Sequence, residues 1–161
     1  MGLFDGFSGS EDGLKNSAYE AIKAELDKQE MTYGEDTSED GEERIIRMRQ
    51  QLDNGSVVSL AIVVSEHGDT NDFIKIKYFG IVRLEENSIR DAFLEKINDW
   101  NGQYRYVKLV IDDEQDVVID IDLPLDLHEG IFQAKNFMAM VGVGLQVIEE
   151  IYPDLMKLRW A

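Results

Sequence analysis

Apolar residues recur at even spacing along residues 43–52, as Ile46, Met48 and Leu52, and residues 56–65 are largely apolar. A period of two is typical of a β-strand with one buried and one exposed face. A third segment, residues 73–84, alternates isoleucine with lysine in its first half. The pattern therefore predicts three consecutive strands.

The residues Asn54 and Gly55, between the first two strands, allow two registers. A two-residue turn, which Asn-Gly usually favours, would pair Leu60 with Arg49 and mix apolar and charged faces. A three-residue loop with Gly55 in the left-handed region pairs Leu60 with Met48 instead. Because a slip of one residue moves every side chain to the other face, we predict the three-residue loop.

A further hairpin is predicted from residues 104–111 and 117–123, which flank an acidic turn. Centring that turn on Glu114 pairs apolar residues across one face. The opposite face then pairs Lys108 with Asp120, which carry opposite charges. This distribution is expected of a half-buried antiparallel hairpin.

Two segments have apolar residues at helical spacing, residues 17–31 and 88–102. Asn16 or Ser17 can cap the first helix, because a short polar side chain there accepts a hydrogen bond from the first turn. Ser88 is the predicted start of the second helix.

A last helix is predicted over about residues 130–152 and is apolar nearly all round. Such a helix has to be covered on both sides. Gly142 and Gly144 each cost about 1 kcal/mol in a helix, so we expect close backbone packing at both. Pro153 is expected to end this helix and to start a short further turn over residues 153–158.

The predicted elements run helix, three strands, helix, two strands, helix. This order, α-β-β-β-α-β-β-α, predicts the α+β class, with a five-stranded antiparallel sheet and helices packed mainly on one face. The acidic, glycine-containing residues 34–43 are predicted to form a solvated loop. Residues 1–13 are expected to be a flexible apolar, Gly-rich N-terminal tail, so that residues 14–161 form a single domain.

The composition of the chain argues against several classes of function. The chain has 161 residues, about the length of one domain. Its 33 acidic and 16 basic residues give a net charge of −17, which disfavours binding to nucleic acid or anionic lipid. The absence of cysteine excludes disulfides and thiol nucleophiles. No signal-peptide pattern or apolar run long enough to span a membrane is present, so we expect a cytoplasmic protein with no transmembrane segment.

Catalytic motifs are lacking. Residues 36–47 imitate the start of a calcium-binding loop, but Arg47 stands where the bidentate glutamate belongs. We find no Ser-His-Asp pattern and no phosphate-binding glycine loop. We therefore predict no catalytic residue, no metal site and no cofactor, and a protein that is not an enzyme.

Basic and aromatic side chains share the solvent face of the sheet in these registers. Such a face can hold an acidic peptide or single-stranded nucleic acid through ion pairs and stacking. The alternative is an ordinary solvated surface, because Asp120 and Asp122 lie on the same face. The candidate partner-binding residues are Arg47, Arg49, Lys75, Lys77, Lys108, Tyr104 and Tyr106.

Residues 97–130 resemble the centre of the YbjN-type bacterial domain, in which Asn, Trp and Asn end a helix and a hairpin begins near an Arg. The positions that match this pattern are Asn98, Trp100, Asn101 and Arg105. The order of elements over residues 14–161 agrees as well. The resemblance implies a fold like that of type III secretion chaperones and a sensory-transduction regulator without established catalytic residues.

We therefore predict a non-enzymatic protein-interaction module, chaperone-like or regulatory, with a protein partner of unknown identity. A homodimer is an alternative use of apolar surface that one small domain leaves uncovered. A second hypothesis is a small-ligand or anion-sensing domain that uses the outer sheet face.

Overall fold

The structure, a computed structural model, describes residues 17–68, 71–85, 89–125 and 132–161. Within these ranges the elements are α1 (Ala18–Lys28), β1 (Gly34–Thr37), β2 (Arg44–Gln51), β3 (Val57–Ser65), β4 (Phe73–Arg83), α2 (Arg90–Gln103), β5 (Lys108–Ile111), β6 (Asp116–Pro124) and α3 (Ala134–Trp160). The strands form one antiparallel sheet in the order β1-β2-β3-β4-β6-β5. The predicted α+β class is confirmed, but the sheet has six strands instead of five.

Several predictions fall outside the described residues. These are the N-terminal tail over residues 1–13, the alternative cap at Asn16, the helix start at Ser88 and the start of the last helix near residue 130. The other cap candidate, Ser17, is the N-cap of α1, where its side chain accepts a hydrogen bond from the Glu20 N–H. Helix α1 ends at Lys28, slightly before the predicted end.

The β2–β3 hairpin has the predicted three-residue register. Met48 lies opposite Leu60, and Arg49 lies opposite Ser59. Gly55 has a φ of +85°, which a glycine adopts without steric cost. The three-residue loop is therefore confirmed, and the two-residue turn is excluded.

The apolar faces of the central strands point the same way. Ile62 lies opposite Ile76, and Ile119 lies opposite Tyr78, which is two residues further along β4. The side chains of Ile62, Ile76 and Ile119 are all 0 % exposed. Helix α3 packs on β4 and on α1, and α2 packs on β5 and on α3. The helices therefore cover the face of Ile62, and we call the opposite face, that of Arg47 and Lys77, the outer face.

The prediction of a loop over residues 34–43 is wrong in its first part. Residues Gly34–Thr37 form β1, which pairs with residues 44–47 of β2. All four β1 residues are exposed. The strand is held by backbone pairing at the sheet edge, so it carries no hydrophobic alternation that a sequence pattern could reveal.

The second hairpin is shorter than predicted. Lys108 pairs with Asp120, and Ile111 pairs with Val117, as expected. However, β5 begins only at Lys108, and Tyr106 has a φ of +67°. This left-handed residue turns the chain out of the strand conformation, so the predicted strand over residues 104–107 is wrong.

Helix α3 runs through Pro153 without a break, and the prediction of a helix end there is wrong. A proline inside a helix costs about 3 kcal/mol because it removes one backbone hydrogen bond. Ile151 and Leu155, on either side of the proline, are 1 % and 0 % exposed. We infer that burial on both sides of Pro153 offsets the cost and keeps the last turns helical.

Close packing is confirmed at Gly144 and is wrong for Gly142. A Cβ atom at Gly144 would overlap the ring of Tyr78 on β4, whereas one at Gly142 would meet nothing within 4 Å. The Tyr78 hydroxyl donates a hydrogen bond of 2.7 Å to the Val141 carbonyl. Helix α3 therefore approaches the sheet most closely at Gly144.

Candidate functional site

The outer face brings together the five predicted cations. Direct cross-strand pairs place one row across the sheet: Arg47, Ala61, Lys77, Asp120 and Lys108. Arg49 lies two residues along β2, and Lys75 lies two residues along β4. Because residues two apart in a strand share a face, all five cationic side chains are on the outer face.

In the lysine half of this face, two of the three lysines share one aspartate. Asp122 lies 3.5 Å from the Lys75 ammonium and 3.4 Å from that of Lys108. Asp120 stands between Lys77 and Lys108 in the row, and its Oδ1 is buried without a hydrogen-bond partner in the described residues. This half is consistent with the alternative of an ordinary charged surface.

The acidic β5–β6 turn shares a hollow with the centre of the outer face. This hollow, of about 280 Å³, is lined by Arg47, Ala61, Lys77, Phe79, Asp112, Glu114 and Asp116. The Asp116 carboxylate accepts a hydrogen bond of 3.2 Å from Gly80 N–H, and Gly80 has a φ of +71° at the irregular step in the β4 register. Burial is the main cause that raises the pKa of Asp116. The hollow therefore carries charges of both signs.

A larger hollow at the β1–β2 side differs in charge. It measures about 610 Å³ and is lined by Thr32, Tyr33, Gly34, Arg47, Met48, Arg49, Ser59, Leu60 and Phe79. None of these lining residues is acidic. We call this region the arginine hollow.

The two arginines of the arginine hollow differ in their partners. The Arg47 Nε lies 3.2 Å from the Asp36 carboxylate of β1, and both side chains are half exposed. The Thr37 N–H and the Arg47 guanidinium lower the pKa of Asp36. Arg49 is exposed and has no ion pair among the residues that the structure describes. Of the two arginines, Arg49 is therefore the more available to an incoming anion.

The structure does not place the two predicted tyrosines with the cations. The Tyr104 hydroxyl donates a hydrogen bond of 3.0 Å to Glu150 of α3, and the Tyr104 side chain packs against the core. Burial, followed by this contact with Glu150, raises the pKa of Tyr104. Tyr106 is 70 % exposed but precedes β5, so it does not pair with Asp122. The prediction that Tyr104 lies on the outer face is wrong.

The family-motif residues form part of the framework. The Asn101 side chain accepts a hydrogen bond of 2.7 Å from Leu109 N–H and donates one of 3.0 Å to the Leu109 carbonyl. Trp100 is 5 % exposed, whereas Asn98 and Arg105 lie at the surface. Asn101 thus ties the end of α2 to β5, a role that its position at a predicted helix end did not reveal.

The chemistry of the arginine hollow is that of anion binding. A guanidinium presents a planar set of N–H donors that matches a carboxylate. Phe79 adds an apolar surface, and Ser59 adds a hydroxyl between Arg49 and Phe79 in the cross-strand row. Within the described ranges, no three His, Asp or Glu side chains are grouped so that they could hold a metal ion.

These features define an α+β protein with helices on one face of its sheet and a cationic hollow on the other. A family model described as "Putative bacterial sensory transduction regulator" matches residues 18–156. The chain belongs to this family, YbjN, and the predicted resemblance is confirmed. A search among curated proteins gave no match. None of the helices in the described ranges has the length and apolar content needed to cross a bilayer.

Proposed function

We propose that this YbjN family member is a regulatory protein-interaction module that binds an acidic segment of a partner protein at the arginine hollow. The observation that supports this most is Arg49, which lies exposed in a hollow without any acidic lining residue. In a chain of net charge −17, a hollow that is lined by two arginines and no acidic residue attracts an anion more than the rest of the surface does. The family description, a sensory transduction regulator, supports a regulatory role.

The remaining candidate residues have secondary roles in this proposal. Lys77 borders the neighbouring hollow, and Lys75 and Lys108 share Asp122. We therefore expect these three lysines to attract the acidic segment through their electrostatic field and not through direct contacts. Tyr106 is an exposed aromatic that a partner can cover. We further propose a non-enzymatic, chaperone-like module located in the cytoplasm, with a fold like that of type III secretion chaperones.

A decaglutamate peptide with a fluorescent label tests the proposal on the full chain. We expect its anisotropy to rise on binding, and Arg49→Glu to weaken that binding by about tenfold or more, since it replaces attraction with repulsion. Lys157→Glu is the matched control, because Lys157 is a 77 % exposed cation on α3. Equal losses in the two variants would mean that only overall charge matters and would overturn the proposal.

A second candidate function, sensing of a small anion, is favoured by the size of the hollow. Its volume of about 610 Å³ falls within the ~300–1,000 Å³ typical of small-molecule sites. A native-state ligand raises the thermal midpoint of unfolding. A rise with citrate that is lost in Arg49→Glu, without binding of the glutamate peptide, would favour the sensor over the interaction module.

A further inference from the structure

The edge of the sheet beside the arginine hollow is only half covered. Strand β1 has four residues and pairs with residues 44–47 of the eight-residue β2. Beyond the pair of Gly34 with Arg47, no described strand continues alongside residues 48–51. The second half of β2 is therefore an edge strand.

The hydrogen-bond pattern shows which backbone groups face this open edge. At the end of the β2–β3 hairpin, Leu52 N–H donates a hydrogen bond of 2.8 Å to the Ser56 carbonyl, so Leu52 and Ser56 are a hydrogen-bonded pair of this ladder. Bonded and non-bonded pairs alternate along an antiparallel ladder. The pair of Arg49 with Ser59 is consequently a non-bonded one. The N–H and C=O groups of Arg49 and Gln51 therefore point away from β3, toward the open edge.

These edge groups are largely unused. The Gln51 carbonyl accepts a hydrogen bond of 3.1 Å from the Gln50 side chain. The backbone N–H and C=O of Arg49 have no partner among the described residues. Thr32 and Tyr33, which precede β1, do not continue its pairing and instead line the hollow next to Arg49. An extended chain thus has both room and hydrogen-bonding groups beside Arg49.

We infer that the acidic partner segment binds as an added β-strand along residues 48–51, in line with β1. This inference rests on the proposed function, because it specifies how the same hollow holds its ligand. A peptide residue opposite Arg49 has its side chain on the outer face, as Asp36 of β1 does opposite Ile45, where it pairs with Arg47. A carboxylate at that position meets the Arg49 guanidinium directly.

The ligand chemistry follows from the period of the strand. Peptide residues opposite Arg49 and Gln51 share the outer face, and the residue between them points toward the helix side. The matching ligand is therefore an extended peptide with carboxylates at every second position and small apolar residues between them. Backbone hydrogen bonds supply affinity, and the arginines select the acidic face, as in other cases of strand addition.

Amide hydrogen exchange on the full chain tests this geometry, with an acetylated and amidated (Glu-Val)4 peptide as the probe. We expect exchange at the Arg49 and Gln51 amides to slow by about tenfold or more in the complex. The amides of Met48 and Gln50 point toward β3 and are internal controls. The (Lys-Val)4 peptide is the charge control and should produce no such protection. Unchanged exchange at Arg49 with saturating acidic peptide would overturn the inference.

A scan of single backbone N-methylations along the acidic peptide separates this inference from the proposed function. Strand addition predicts that methylation weakens binding at alternate positions only, because every second N–H faces β2. A flat scan combined with loss of binding in Arg49→Glu would overturn strand addition and leave the arginine hollow as the site. Full binding to Arg49→Glu would overturn both.

Discussion

At the scale of single residues, Asn101 stands out because its side chain takes the place of a neighbouring strand. Its amide both donates to and accepts from the backbone of Leu109, which is 1 % exposed. Without this amide, a buried N–H and a buried carbonyl would lose their partners. The asparagine of the family motif thus has a structural explanation that needs no ligand.

We expect Asn101→Ala to lower the free energy of unfolding by about 1–3 kcal/mol, since it leaves buried backbone groups unsatisfied. Urea denaturation measures this loss. Asn98→Ala, at an exposed position of the same helix, should change stability by less than about 0.5 kcal/mol. Equal effects of the two substitutions would show that the Leu109 contacts do not matter.

The buried carboxyl group of Asp116 should make the stability of the protein depend on pH. Burial raises the pKa of its carboxyl, so the folded state disfavours the ionised form more than the unfolded state does. This penalty is present at neutral pH and disappears as the pH falls through the raised pKa to below the unfolded value of 3.8. We therefore expect Asp116→Asn to raise the thermal midpoint at pH 7, with a difference from the unmodified chain that shrinks toward pH 3.

Asp113→Asn is the control for Asp116→Asn, because Asp113 is an exposed acid in the same turn. It removes one negative charge from the chain without relieving burial. Thermal scans from pH 3 to pH 7 should separate the two variants. A destabilised Asp116→Asn at pH 7 would mean that the charge-assisted bond from Gly80 outweighs the cost of burial.

At the scale of secondary-structure elements, the packing of α3 on β4 depends on one position without a side chain. The ring of Tyr78 fills the space beside Gly144, and Tyr78 is 0 % exposed. Two residues earlier, Gly142 faces open space on the same helix. Substitution of the two glycines by alanine should therefore have opposite effects on stability.

We expect Gly144→Ala to destabilise the protein by about 1–3 kcal/mol, because the added methyl group overlaps the Tyr78 ring and forces the helix and sheet apart. Gly142→Ala should stabilise it by up to about 1 kcal/mol, since alanine is the better helix former. Chemical denaturation of both variants tests the contrast. Stabilisation of both would show that the helix can shift at no cost.

How far the sequence predicts the elements depends on which force forms each one. The β2–β3 register follows from burial, because only the three-residue loop places Met48 and Leu60 on one face. Strand β1 has no buried residue, so its pairing with β2 leaves no trace in the hydrophobic pattern. The continuous α3 was missed because helix propensity at Pro153 is overridden by burial of Ile151 and Leu155.

The candidate site was predictable in part for the same reason. The five cations follow from strand alternation, which the hydrophobic pattern reveals. Tyr104 was misplaced because its contact with Glu150 is a tertiary hydrogen bond that no local pattern encodes. The distinction between Arg47 and Arg49 also escaped prediction, since it depends on Asp36 in the unrecognised strand β1.

At the scale of the whole molecule, charge opposes compactness. The chain has a net charge of −17 on 161 residues. Folding brings these negative charges closer together, so their mutual repulsion lowers the stability of the folded state. Most ion pairs in the described residues are at the surface and contribute little to stability individually. Repulsion between acidic residues over the whole surface should therefore determine how stability changes with ionic strength.

We expect the thermal midpoint at pH 7 to rise by a few degrees, on the order of 2–5 °C, as sodium chloride increases from 10 to 300 mM. Salt screens repulsion between many acids more than it weakens a few exposed pairs. Differential scanning calorimetry measures the shift. A fall in the midpoint would mean that the ion pairs, such as Arg44 with Glu66, outweigh the general repulsion.

The two ends of the sheet also differ in whether a further strand can join them. At β5, the outward backbone groups of Leu109 are capped by Asn101, whereas at β2 those of Arg49 are open. Growth of sheets into a fibre needs a docking edge at both ends of every copy, so that each joined molecule offers a new one. A strand that joins β5 beside Leu109 would have to displace the Asn101 side chain, which hinders such growth at this end of the sheet.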